Sequence, residues 1–104
     1  MGQNNAFELI VCIVNRGFCD LVMETARGAG ARGGTVLHAR GGGQVGQEFF
    51  GITIQPEKEL IMILVKAGIK GGVMQAILKH AGPATPAHGI CFSVPVDDTI
   101  GIAE

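Results

Sequence analysis

Two long runs of apolar residues stand out along the chain. They are Phe7 to Asn15 (FELIVCIVN) and Glu59 to Val65 (ELIMILV), and each has the length of a β-strand. A nearly continuous run of aliphatic and β-branched residues indicates a strand that is buried on both faces of a sheet. We therefore predict two central strands, at residues 7–15 and 59–65.

Two other segments repeat apolar residues at the spacing of a helix. The first runs from Gly17 to Ala29 and ends in the glycine-rich stretch 28–34, and the second runs from Lys70 to His80 and is followed by Gly82-Pro83. Glycine and proline are frequent where helices stop, because glycine adopts backbone angles that other residues avoid and proline lacks an N–H. The pattern predicts two helices.

Shorter extended segments complete the order. Thr35 to Leu37 and Gly89 to Val96 read as strands, Pro95 indicates a sheet edge or a strand end, and Phe49 to Ile54 is expected to extend the strands on either side of the preceding loop. The order is then βαββαβ. This order predicts an α+β, ferredoxin-like sandwich, in which a four-stranded antiparallel sheet carries two helices on one face.

The composition indicates the number of domains and whether the chain associates with other subunits. The chain has 104 residues, of which 47% are hydrophobic and 16% charged, so we expect one domain over residues 1–104. Helices on one face leave the other apolar face uncovered, which favours association with further copies of the chain. A formal net charge of -1 gives no chain-wide attraction to nucleic acid.

The cysteine content and the hydropathy of the chain indicate the cellular compartment in which we expect the protein. The three cysteines are an odd number without a C-x-x-C pair, which fits a reducing cytoplasm better than a disulfide framework. Cys12 and Cys91 lie within predicted strands and are expected to be buried as small hydrophobes, which leaves Cys19 as the reachable thiol. No apolar run approaches the roughly 20 residues that span a bilayer, so no membrane insertion is expected.

The sequence contains no recognisable set of catalytic residues. Gly28-x-Gly30-x-x-Gly33 matches the dinucleotide fingerprint by letter, but it follows a helix and precedes a strand, which is the reverse of the order that the phosphate site needs. His38, His80 and His88 lack the spacing of metal ligands. No acid-base pair or activated nucleophile is evident, so we predict neither an enzyme nor a metal site.

The segment His38 to Gln47 contains four glycines and little that packs, so we predict an exposed, mobile loop. At its root, Arg40-Gly-Gly-Gly43 offers bare backbone amides and a guanidinium, which suit an anionic ligand. The same residues also suit a flexible hairpin tip with no ligand. The sequence leaves both interpretations open.

Four segments together resemble the PII nitrogen-regulatory signal-transduction family along nearly the whole chain. They are Gly33 to Val36, Arg40 to Gly43, Lys58 to Val65 and His88 to Asp98, the last being similar to the family pattern D-G-K-I-F-V-x-P-V-E-D. The resemblance implies a ferredoxin-like homotrimer that binds ATP, ADP or AMP in clefts between subunits. It also implies that a loop at about residues 40–50, the family's T-loop, signals to a protein partner such as a transporter or an enzyme.

The resemblance also supplies candidate ligand-binding residues. Backbone contacts to the nucleotide are implied for four positions and basic contacts for two, namely Thr35, Gly41, Gly43 and Gly89, and Arg40 and Lys58. The basic pair can equally be solvated surface charge. No catalytic or metal-binding residue is implied.

Departures from the family pattern lower the expected affinity for a triphosphate. Ile90, Gly101 and Ala103 stand where the family presents cations to the phosphates, and the chain contains no tyrosine that could be modified as in some relatives. We therefore expect weak or no ATP binding. The alternative hypothesis is a structural or interaction trimer that has lost nucleotide binding. The sequence does not decide whether 2-oxoglutarate, which the family loop helps to bind, is still a ligand.

Overall fold

The computed structural model of the chain describes residues 6–32, 34–38, 47–49, 52–54 and 58–99. Within these ranges lie six strands and two helices. Their order is β1 (Phe7–Asn15), α1 (Cys19–Gly28), β2 (Thr35–His38), β3 (Gln47–Phe49), β4 (Ile52–Ile54), β5 (Lys58–Lys66), α2 (Ala67–Ala81) and β6 (Ile90–Val96).

The main sheet has the strand order β2-β5-β1-β6, and all its pairs are antiparallel. The two long apolar runs form its central strands β5 and β1, as predicted. Their side chains alternate between apolar clusters on the two faces of the sheet, which is why both runs are nearly continuous. Pro95 lies on the edge strand β6, which tolerates a residue without a backbone N–H better than a central strand does. The α+β class with two helices and an antiparallel sheet is confirmed.

Strands β3 and β4 correct one prediction. They pair with each other, Gln47 opposite Ile54 and Phe49 opposite Ile52, in a separate two-stranded sheet. The expectation that residues 49–54 extend the neighbouring strands is therefore wrong, since an extended pattern identifies a strand but not its partner. Residues 39–46 lie outside the described part of the chain, so most of the predicted loop at 40–50 does too.

The helices cover one face of the main sheet and enclose the core with it. Alternate residues of β1 and β5 point to this face, and both helices pack an apolar stripe against them. The fully buried aliphatic side chains of this layer are Ile10, Val14, Val22, Ile61, Ile63 and Val73. Burial of each contributes about 1.5–3 kcal/mol relative to leaving it in water, so this layer is the main apolar core.

The opposite face of the sheet carries a second apolar cluster. Its buried members are Val11, Ile13 and Leu60, with Leu9, Met62 and Phe92 packed around them. Neither helix packs on this face, because the residues of α1 and α2 belong to the other cluster. We call it the open face. No helix of the described residues is long and apolar enough to cross a membrane.

Candidate ligand site at one end of the sheet

Asn15, the last residue of β1, joins three parts of the chain at one end of the main sheet. Its backbone N–H donates to the carbonyl oxygen of Ala87 at 2.9 Å, and its side-chain Nδ2 donates to the carbonyl oxygen of Pro86 at 3.0 Å. Its Oδ1 accepts a hydrogen bond from Lys58 Nζ at 2.7 Å. The start of β5 and the segment before β6 are thereby held against the end of β1.

The segment 82–89, which connects α2 to β6, is held by its own hydrogen bonds. The carbonyl oxygen of Gly82 accepts from the Thr85 N–H at 3.1 Å and from Thr85 Oγ1 at 2.8 Å, and the Thr85 carbonyl accepts from the N–H of His88 at 2.9 Å. Thr85 Oγ1 also accepts from the N–H of Ala87 at 3.2 Å. A connection bonded in this way presents its backbone in one conformation, which lowers the entropy that a ligand would have to remove.

Gly89 closes this connection by a close approach to the end of α2. Its N–H donates to the carbonyl oxygen of Ala81 at 2.9 Å. A Cβ placed on Gly89 would collide with that same oxygen and would lie 2.8 Å from a methyl group of Val14. The glycine is therefore required by packing, whether or not a ligand also contacts its backbone.

An apolar cleft of about 320 Å³ lies between α2 and β6 and borders this connection. Two large hydrophobic side chains stand on its walls in partial contact with water, Leu78 with 52% and Ile90 with 48% of its surface exposed. The other lining residues are Met74, Gln75, Ile77, Gly82, Pro83, Gly89 and Cys91. Its size falls within the range of small-molecule pockets, and its walls suit a flat apolar group.

Two charged side chains of β5, one basic and one acidic, lie at this end of the sheet. The Lys58 ammonium is bonded to the neutral amide of Asn15, which leaves its positive charge uncompensated by that partner. Glu59 is only 4% exposed, and its Oε1 accepts a hydrogen bond from the backbone N–H of Gly17 at 3.2 Å. Among the described residues, no group of three or more His, Cys, Asp and Glu side chains is placed to hold a metal ion.

The structure brings two of the six predicted ligand-binding residues to the same place. Lys58 and Gly89 lie at the same end of the sheet on either side of β1, where Asn15 bonds Lys58 and the segment just before Gly89. Thr35 pairs with Met62, four residues along β5 from Lys58, which is about 13 Å at a strand rise of about 3.3 Å per residue. Thr35 and Lys58 therefore lie at different levels of the sheet.

The remaining predicted positions fall on other parts of the chain. Arg40, Gly41 and Gly43 lie outside the described residues, as do Gly101 and Ala103. The first three follow β2 in sequence. Strand β2 ends at His38, opposite Glu59, and so at the same end of the sheet as Lys58. Of the three departures from the family's cations, the structure describes Ile90, on the wall of the cleft.

Asn15 and Leu78 were not predicted as parts of a site. A polar residue that ends a buried strand is a recognisable signal for Asn15, although it does not reveal the partner. Leu78 belongs to the helical stripe of α2 by its spacing and would be assigned to the core. It is instead 52% exposed and lines the cleft beside β6, whose position the helical pattern does not contain.

The predicted accessibility of the cysteines needs a correction. Cys91 is only partly buried and lines the cleft, so it is reachable as well as Cys19. A hydrogen bond from the Cys12 thiol lowers the pKa of Cys91, whereas desolvation, with the nearby Glu59 carboxylate, raises the pKa of Cys19. Cys91, which the sequence predicts to be buried, is therefore the more acidic of the two reachable thiols. The structural reason is that β1 places a second thiol next to it.

Comparison with known proteins agrees with this architecture. No curated protein matches the sequence at a significant level. Among solved structures, PII of Arabidopsis thaliana bound to citrate is 26% identical with a TM-score of 0.67, over 92% of this chain and 80% of that one. The B. subtilis GlnK–ATP complex is 13% identical with a TM-score of 0.69, over 95% and 89% of the two chains. CPII of Thiomonas intermedia K12, bound to ADP, AMP and bicarbonate, is 17% identical with a TM-score of 0.58, over 91% and 97%.

The family assignment covers nearly the whole chain. The model of the family described as nitrogen regulatory protein P-II matches residues 7–104. This range includes both helices, all six strands and the site at Asn15 and Lys58. The chain therefore belongs to the P-II family of signalling proteins, as a divergent member.

Proposed function

We propose that this protein is a trimeric PII-type regulator that binds a small anionic ligand beside Lys58 and the 82–89 connection. The ligand is an adenine nucleotide with fewer charges than ATP, and the response passes to a protein partner through residues 40–50. A link to nitrogen regulation and a cytoplasmic location are parts of the same proposal. So is the absence of catalytic activity.

The observation that carries the proposal is a cationic side chain bonded to the same asparagine that holds a preformed connection, which in turn borders an apolar cleft. Lys58 Nζ is fixed at 2.7 Å from Asn15 Oδ1, and the same asparagine holds Pro86 and Ala87. An aromatic base suits the apolar cleft wall at Met74 and Leu78, and a phosphate suits the ammonium. Both features lie at the end of the sheet where Asn15 ends β1, so we infer that one ligand carrying a base and a phosphate uses both.

The preference for low charge follows from Ile90. Its side chain is 48% exposed on the cleft wall, where a phosphate would lose hydration without gaining a counter-charge. A charge-assisted hydrogen bond contributes about 1.5–3 kcal/mol, so each missing cation weakens binding about tenfold or more. AMP and ADP should therefore bind more tightly than ATP.

The relatives support an anionic ligand. The compared structures hold ATP, ADP with AMP and bicarbonate, and citrate, all of which carry negative charge at neutral pH. The open face supports the trimer, because Leu9, Met62 and Phe92 remain partly exposed in a single chain and are the apolar groups that an assembly would cover.

Calorimetric titration of the purified protein with AMP, ADP and ATP tests the proposal. We expect binding in the order AMP or ADP above ATP, and a loss of about tenfold in Lys58→Gln. Lys79→Gln removes the same charge from the last turn of α2 and should change nothing. Ile90→Lys should raise the affinity for ATP selectively, while Gly72→Lys, at an exposed helical position, should not.

Two outcomes would reject it. If none of the adenine compounds binds, the alternative of an interaction trimer without a nucleotide is favoured. If ATP binds tightly and the combination of Ile90→Lys, Gly101→Arg and Ala103→Arg leaves its affinity unchanged, the phosphates bind elsewhere.

A further inference from the structure

Cys12 and Cys91 lie directly opposite each other on the adjacent antiparallel strands β1 and β6. Both belong to the face that the helices cover, where Cys91 packs against the cluster that contains Cys12. Directly opposed residues in such a pair have Cα atoms about 4.5–5.5 Å apart, and disulfides span Cα separations of about 4.4–6.8 Å. This register places the two thiols side by side on one face of the sheet.

The two thiols differ in their access to solvent. Cys12 is fully buried, with 0% of its surface exposed. Cys91 is partly exposed and forms part of the wall of the cleft between α2 and β6. A small reagent that enters the cleft therefore contacts Cys91 first, and Cys12 lies beside Cys91 on the adjacent strand.

We propose that Cys12 and Cys91 are a thiol-disulfide exchange site, which a low-molecular-weight disulfide converts reversibly to a disulfide linking β1 to β6. The Cys91 thiolate attacks one sulfur of the reagent, forming a mixed disulfide and releasing one thiolate. Cys12 then loses its proton to that thiolate or to water and attacks Cys91 Sγ, releasing the second thiolate. The two cysteines lose two electrons and two protons, and the reagent becomes two thiols. An excess of thiol reverses both steps.

Access assigns these roles, because Cys91 is open to the cleft and Cys12 is buried, and the pKa shifts of the two thiols agree with them. Donation from Cys12 lowers the pKa of Cys91, so the accessible sulfur is the better nucleophile at neutral pH. The same bond and burial raise the pKa of Cys12, which therefore keeps its proton until the mixed disulfide forms. The exchange reaction needs no bound nucleotide, so a failure to bind adenine nucleotides would reject the proposed function without rejecting this site.

Peptide mapping after oxidation of the native protein tests the site. Trypsin cleavage after Lys and Arg separates the three cysteines into the peptides 1–16, 17–27 and 80–104. The folded wild-type protein is incubated with oxidised glutathione, free thiols are blocked, and the digest is analysed without reduction. We expect a disulfide that joins the 1–16 and 80–104 peptides of one chain. Cys19 should carry the blocking group, which shows that it stayed a free thiol. Reduction of the oxidised protein before blocking should return all three cysteines to free thiols.

Two variants make the result specific. Cys12→Ala keeps a small apolar group in the core and lacks the second thiol, so the Cys91–glutathione mixed disulfide should accumulate. Cys19→Ser should form the 1–16 to 80–104 link as the wild type does. The proposal is overturned if wild-type Cys91 stays a free thiol, if it retains glutathione as stably as Cys12→Ala does, or if it links to Cys19 or to a second chain.

Discussion

The N–H of Gly89 donates to the carbonyl oxygen of Ala81 at 2.9 Å, which ties the start of β6 to the last residue of α2. Without this bond, the C-terminal end of α2 would have one more carbonyl that needs a partner. The bond also sets the position of Ile90 at the cleft, because Ile90 is the next residue in the chain.

Gly89→Ala should lower stability even in the absence of ligand. The added methyl group would collide with the Ala81 carbonyl and crowd Val14, which lies in the fully buried core. A clash with backbone that cannot move is expected to cost about 1–3 kcal/mol. Thermal unfolding at a fixed protein concentration measures it.

The matched control for this change is Gly71→Ala. Gly71 is exposed within α2 and has no atom within 4 Å of an added Cβ. Alanine should therefore stabilise the helix by about 0.5–1 kcal/mol. If both substitutions stabilise the protein, the close approach at Gly89 is not a packing constraint.

Asn15→Ala should loosen the 82–89 connection from the sheet. It removes the donor to the Pro86 carbonyl and the acceptor for Lys58 Nζ, a loss of about 1–2 kcal/mol for two hydrogen bonds. Asn15→Asp keeps the acceptor and loses the donor, so its stability should lie between that of alanine and the wild type. Denaturant unfolding compares them, and equal stability of all three proteins would contradict the bridging role.

Met62→Glu should break the trimer while leaving the chain folded. Met62 is partly exposed on the open face beside Val11, and a carboxylate there would lose its hydration on assembly without gaining a partner. Light scattering should show a trimeric mass for the wild type and for Gly71→Glu, which adds the same charge on exposed α2. A smaller mass is expected for Met62→Glu, with circular dichroism confirming that the helices remain. A wild-type monomer would contradict the assembly.

Alkylation by iodoacetamide should reach Cys91 at a lower pH than Cys19. The thiolate is the reacting form, the Cys12 hydrogen bond lowers the pKa of Cys91, and desolvation raises that of Cys19. As pH rises from neutral, the 80–104 peptide should therefore be modified before the 17–27 peptide. In Cys12→Ala this difference should shrink, because the donor is gone. A lower reaction pH for Cys19 would show that exposure outweighs acidity.

Elements with a strong local pattern were predictable from the sequence. The strand predicted at residues 7–15 coincides with β1, and the predicted run at 59–65 lies within β5. Both depend on many apolar side chains in succession, so no single residue decides them. The second helix begins at Ala67, three residues before the predicted start, because α2 follows β5 directly without a loop residue to mark the boundary.

The family and its fold class were thus within reach of the sequence. Tertiary structure decided which distant residues meet. Asn15 and Pro86 are 71 residues apart in sequence, and Cys12 faces Cys91 only because β6 pairs with β1 in one particular register. A shift of that register by one residue would turn Cys91 to the open face. Register and strand partners depend on the packing of the whole core, which no local pattern of apolar and polar residues records.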